Sequence, residues 1–133
     1  MASSTFGATA KALEDLYFPG RITESTEAGP EQAEKKIDEI AGDVAVELRQ
    51  AKIRPEDITE EGSPNAWKWL TRTILLGAAA QYGRVAATHS VDVFDDWDRK
   101  FEARMERLRA DPKSVLDDVP TYGGGTSAYN AFV

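Results

Sequence analysis

Apolar residues recur along this chain in three long helical stripes separated by proline-marked breaks. In the first, Ile37, Ile40, Ala41, Val44, Ala45 and Leu48 fall at spacings of three and one, the one-sided pattern of an amphipathic helix. Ala28-Gly29-Pro30 opens it, because proline at the first helical position lacks only an N–H that would be unpaired there. Glu31 and Glu34 place negative charge in the first turn, where the helix dipole favours it. The pattern predicts a helix to about Lys52, closed by Pro55, since the residue before a proline is pushed out of the helical region. The segment IRPEDITEEG, residues 53–62, reads as a connector anchored by Ile53 and Ile58.

Ser63-Pro64 starts the second stripe, with serine as cap and proline behind it. Trp67, Leu70, Ile74, Ala78, Tyr82 and Val85 recur every three or four residues. Trp69, Leu75, Leu76, Ala79 and Ala80 add apolar surface off that line, so the helix is apolar nearly all round and reads as the centre of a bundle. Gly77 and Gly83 each cost about 1 kcal/mol against alanine inside a helix, a cost that close packing of a neighbour would offset. The third stripe, Phe94, Trp97, Phe101, Met105 and Leu108, begins around Ser90 to Asp92. Acids fill its first turns and Arg104, Arg107 and Arg109 its last, in the sense the dipole prefers. Asp95–Arg99 and Asp96–Lys100 are predicted i,i+4 pairs. Asp111-Pro112 ends the helix, and Val115 and Leu116 pack back from a further short turn.

Ahead of these, Ala8 to Tyr17 fits a short helix with Ala12, Leu13 and Leu16 inward, followed by a Phe18-Pro19-Gly20 turn. No strand longer than three residues is evident. The expected fold is all-α: a small bundle of three principal helices with one or two short ones. Residues 1–119 form the helical domain, with residues 1–28 as an N-terminal arm or short helix, and residues 120–133 form an extended tail.

Composition narrows the function. The 133 residues, 41% of them hydrophobic, suit one globular domain. No apolar run reaches the roughly eighteen residues of a membrane span. The opening MASSTFGATAKALEDL has no basic segment followed by an apolar one, so no secretory signal is expected. The absence of cysteine excludes disulfides, thiolate metal sites and a cysteine nucleophile. Net charge is −7; residues 1–62 hold 14 acids against 7 bases, residues 63–133 nine of each. An acidic chain gains little from counterion release, which argues against sequence-reading DNA binding. The acidic half is either a self-repelling, solubilising surface or a functional face.

Candidate chemistry is thin. His89 is the sole histidine; Ser90 and Asp92 stand near it in sequence, but nucleophilic catalysis needs a positioned base and an oxyanion site that adjacency does not supply. Asp92, Asp95, Asp96 and Asp98 have the density of a cation site without the glycine and bidentate glutamate of a calcium loop. Glu60-Glu61 and Asp117-Asp118 pair carboxylates only along the chain. No catalytic, cofactor-binding or metal-binding residue is assigned. The tail is more informative. In TYGGGTSAYNAFV, Gly123, Gly124 and Gly125 form a tether, and Tyr122, Tyr129, Phe132 and Val133 are partner-binding anchors. At about 1–2 kcal/mol of backbone entropy per residue, three buried rings do not clearly repay ordering such a segment. An outside surface would have to hold it.

Taken together, AEKKIDEIAGDVAVELRQA, then WKWLTRTILLGAAAQYGRVAA, then FDDWDRKFEARMERL with its DPKSVLDD turn and loose tail resemble the head–tail adaptor (connector) proteins of tailed bacteriophages and related gene-transfer particles. The resemblance covers roughly residues 10–118 and rests on helix order and the character of the middle helix. It implies a structural virion protein of the neck, made in the bacterial host cytoplasm. Such proteins form a homo-oligomeric ring, commonly of twelve subunits, below the portal protein and above stopper or tail-completion proteins. DNA passes through without sequence-specific binding, and the family has no enzymatic activity and no cofactor. A small cytoplasmic helical interaction module with a C-terminal binding tail is the alternative.

Overall fold

Five helices carry the chain in the computed structural model, which describes residues 5–20, 22, 29–86 and 91–119. They are α1 (Ala10–Tyr17), α2 (Pro30–Gln50), α3 (Pro64–Ala86), α4 (Val91–Ala110) and α5 (Pro112–Val115), with a 3-10 turn at Pro55–Asp57 and no strand among the described residues. The architecture is an all-α bundle. α3 is its axis: every residue from 73 to 80 is buried, as its all-round apolarity requires. α2 and α4 pack along it, α1 lies against α2 and α3, and α5 folds back on α4 and α3.

The glycines of α3 are where its neighbours come closest. A Cβ on Gly77 would lie 2.8 and 2.9 Å from the Phe101 ring and 3.0 Å from Ile40 Cγ2. Three helices meet there. A Cβ on Gly83 would overlap the Phe94 ring. Both residues therefore trade helix propensity for side-chain packing.

Helix ends show how much long-range partners matter. Gly29 and Pro30 open α2 as expected, and Lys52, at φ 65°, terminates it in the left-handed conformation. The Ile53 N–H reaches back to the Leu48 carbonyl at 2.9 Å. Ile53 and Ile58 are buried anchors. At the start of α3, Ser63 holds the cap position, but its hydroxyl donates to the Asp118 carbonyl at 3.2 Å. The helix amides of Asn65 and Ala66 instead donate to the Asp118 carboxylate at 2.9 and 3.1 Å. The expected serine cap is thus replaced by an acid more than fifty residues downstream. α1 is capped twice, by Thr9 Oγ1, which accepts from Ala12 N–H at 3.1 Å, and by Glu34 of α2, which accepts from Ala10 N–H at 2.9 Å.

Several inward assignments change. Leu16 is 62% exposed and Tyr17, four residues after buried Leu13, turns toward the bundle in its place. Val85 is 55% exposed because the last turn of α3 runs past the packing surface. Asp95 pairs across to Arg84 of α3 at 2.8 Å, and Arg99 pairs with Asp96 at 3.2 Å instead. The predicted Asp96–Lys100 pair is present at 3.0 Å. The described part of the N-terminal arm is packed: Phe6, Ala8, Leu13, Phe18 and Ile22 join the core, and Thr71 Oγ1 donates to the Phe6 carbonyl.

Candidate interaction surfaces

α4 organises the surface chemistry. Phe94, Phe101, Met105 and Leu108 are buried and define its inward line. At 3.6 residues per turn, Trp97, Lys100, Arg104 and Arg107 lie on one side of that line, and Glu102, Glu106 and Arg109 on the other. The two flanks are chemically opposite.

On the first flank, Arg104 is half-buried. Its Nε donates to Thr73 Oγ1 at 2.7 Å and its Nη2 to the Trp69 carbonyl at 3.1 Å, with the guanidinium 4.5 Å above the Trp69 ring. Thr73 is fully buried and its hydroxyl donates in turn to the Trp69 carbonyl at 2.8 Å. The cation is held by neutral groups and an aromatic face, a contact worth about 0.5–2 kcal/mol. Among the described residues no carboxylate pairs with Arg104, Arg72 or Arg107. Burial lowers the Arg104 pKa from its ordinary value, the Tyr17 phenol opposes this, and Arg72 and Arg107 add to the lowering. Burial likewise raises the Tyr17 phenol, with Arg104 and Lys100 pulling the other way. Tyr17 packs edge-on to Trp97 at 5.0 Å, and Trp97 also meets Phe18 at 5.7 Å and Phe94 at 5.8 Å. This flank is a basic, aromatic surface shared by α1, α3 and α4.

The second flank borders a shallow groove of about 260 Å³ between α2 and α4. Phe101 and Met105 form its floor, Val46, 52% exposed, stands at its edge, and Asp43, Glu47 and Glu102 line it. Arg109 is the groove's one base, and Glu47 and Glu106 hold it at 3.1 and 2.6 Å. The hydrogen bond to Glu47, then its charge, raises the Arg109 pKa. A second depression, of about 590 Å³, follows the outer face of α2 past Glu31, Glu34, Asp38 and Glu39. Lys35 lines it as well; α2 as a whole carries six acids against three bases, a little under half of the acidic excess of residues 1–62.

The sequence-predicted candidates fare differently. Tyr122, Gly123, Gly124, Gly125, Tyr129, Phe132 and Val133 lie outside the described residues, as do His89 and Ser90. Asp95 and Asp98 share Arg84 of α3, at 2.8 and 3.9 Å, and Asp96 engages Arg99 and Lys100, so three of the four aspartates of the run are paired with bases. No group of three or more metal-ligating side chains occurs among the described residues, and no described helix is long and apolar enough to cross a membrane. Glu60 and Glu61 are exposed. Asp118 serves α3 as a cap and Asp117 points to solvent. Sequence reading grouped Arg104, Arg107 and Arg109 as one dipole-compensating cluster; a helical wheel of residues 97–109 separates them.

No protein-family model matches the chain, and neither a curated protein nor a solved structure does.

Proposed function

We propose that this chain is a head–tail adaptor of a tailed bacteriophage or related particle: a structural virion protein that joins the DNA-filled head to the tail as a ring below the portal. The observation that carries this reading is the helix order itself. An amphipathic α2, a central α3 buried along its middle, an aromatic-seamed α4 and a folded-back α5 follow one another as in the resemblance stated above. The two contrasting flanks of α4 support it, because subunits in a ring need two different contact surfaces. The acidic face of α2 suits a wall past which DNA must slide without being gripped. The C-terminal anchors, Tyr122 and Tyr129 to Val133, contact the portal or a neighbouring subunit in this reading, and no catalysis or cofactor is involved.

The test is particle assembly. Deleting the gene should leave filled heads without tails, and electron microscopy of intact particles should place the protein at the neck. Removing residues 120–133 should leave a folded helical domain that fails to join heads to tails. Absence of the protein from purified particles would sink the proposal in favour of the cytoplasmic interaction module.

A further inference from the structure

We propose that the two flanks of α4 are the two halves of one self-contact: the basic, aromatic flank of one copy docks into the acidic α2/α4 groove of the next. This rests on the ring reading and names the surfaces that would build it.

Arg72 and Arg107 stand on the first flank without a carboxylate partner among the described residues, around an Arg104 held only by Thr73 Oγ1, the Trp69 carbonyl and the Trp69 ring. Across α4, Asp43 and Glu102 line the groove without a base of their own among the described residues, above the apolar floor of Phe101 and Met105. Each side carries what the other lacks, and each combines charge with apolar surface. The chain is acidic overall, at −7, so a basic patch of this density has no general solubility role and long-range attraction to nucleic acid is weak. The nearest complementary surface is the molecule's own.

The two surfaces lie on opposite sides of α4, which suits translation of one contact from copy to copy; a closed dimer with no larger species in sedimentation would refute that mode. Pairing is head-to-tail, each copy using its basic flank toward one neighbour and its groove toward the other, and such contacts either close into a ring or run on as a filament.

The test uses the full chain. Arg72→Glu with Arg107→Glu reverses the basic flank; Asp43→Arg with Glu102→Arg reverses the groove. All four side chains lack a described partner, so folding should survive, and circular dichroism with cooperative unfolding checks that it does. In sedimentation velocity at about 0.1 M salt, where the Debye length is about 10 Å, each double variant alone should lose at least about tenfold in self-association. An equimolar mixture of the two should recover it, since reversed flank then meets reversed groove and native flank meets native groove. Raising salt to about 1 M should weaken the wild type.

The contact is overturned if either variant associates like the wild type, if the mixture does not recover, or if the wild type is monomeric at low salt. Loss of duplex DNA binding in the Arg72/Arg107 variant with self-association unchanged also overturns it. Normal rings at the neck of particles carrying either variant would refute this contact while leaving the adaptor reading intact; a protein missing from particles refutes the adaptor reading whatever its self-association.

Discussion

Alanine at Gly42, Gly77 and Gly83 poses one chemical change against three environments. In a helix interior the change alone is worth about 1 kcal/mol in favour of alanine. At Gly42 the new methyl meets nothing within 4 Å, so Gly42→Ala should stabilise by most of that amount. At Gly77 it would press on Phe101 at 2.8 Å and on Ile40 at 3.0 Å. Overpacking of a filled core costs about 1–3 kcal/mol, so Gly77→Ala should come out destabilising by about 1 kcal/mol net. At Gly83 the overlap with Phe94 is deeper, and Phe94 cannot retreat freely because its ring packs on Trp97, which Tyr17 and Phe18 hold from the other side. Gly83→Ala should cost about 2 kcal/mol or more after the propensity gain. Urea unfolding followed by helical circular dichroism measures all three, and 1 kcal/mol corresponds to roughly 3–5 °C in Tm for a chain of this size. A second layer isolates the contact: in a Phe94→Leu background the added cost of Gly83→Ala should shrink, because the two positions are coupled. If all three substitutions stabilise alike, the glycines are not there for close approach and the packing argument fails.

Asp118→Ala removes the acceptor for two α3 amides and should cost about 1–2 kcal/mol in chemical denaturation, with Asp118→Asn costing less. Lys52→Gly relieves a side chain held at φ 65° and should raise stability by about 0.5–1 kcal/mol, read as a higher urea midpoint at unchanged slope. Tyr17, whose pKa burial raises, contributes stability that is complete below the ordinary phenol value of about 10 and is lost as pH rises through the higher folded value. Tyr17→Phe should therefore flatten the alkaline limb of a stability-versus-pH curve, and an unchanged limb would refute the assignment.

The core was legible wherever the signal was local. Ile37 to Leu48 and Phe94 to Leu108 announced their buried faces by spacing, and the embedded α3 by apolarity on every side. The reading of Gly77 and Gly83 as close-approach points needed no coordinates either, since a helix tolerates such residues only where packing offsets them. Local rules misled at the ends. Leu16 and Val85 continued apolar stripes past the surface that buries them. Ser63 looked like a cap because capping chemistry is short-range in sequence, yet Asp118 was better placed in space. The candidate surfaces were nearly invisible: the bases of α4 read as one cluster until the helix was wound and set beside α2.

From sequence alone come the all-α class, the three principal helices, their inward lines and the breaks between them, because each rests on periodicity and on proline and glycine stereochemistry within a few residues. Tertiary structure decided which groups from distant segments meet. Glu34 caps α1 across 24 positions, Asp118 caps α3 across 53, and Arg109 joins Glu47 across 62. It also decided that Arg104 rests on Trp69 and Thr73, with no carboxylate partner among the described residues, and that acid and base lie on opposite flanks of α4. Such pairings depend on how helices are laid against one another, a choice made by side-chain volume at sites such as Gly77 and Gly83 rather than by any local pattern.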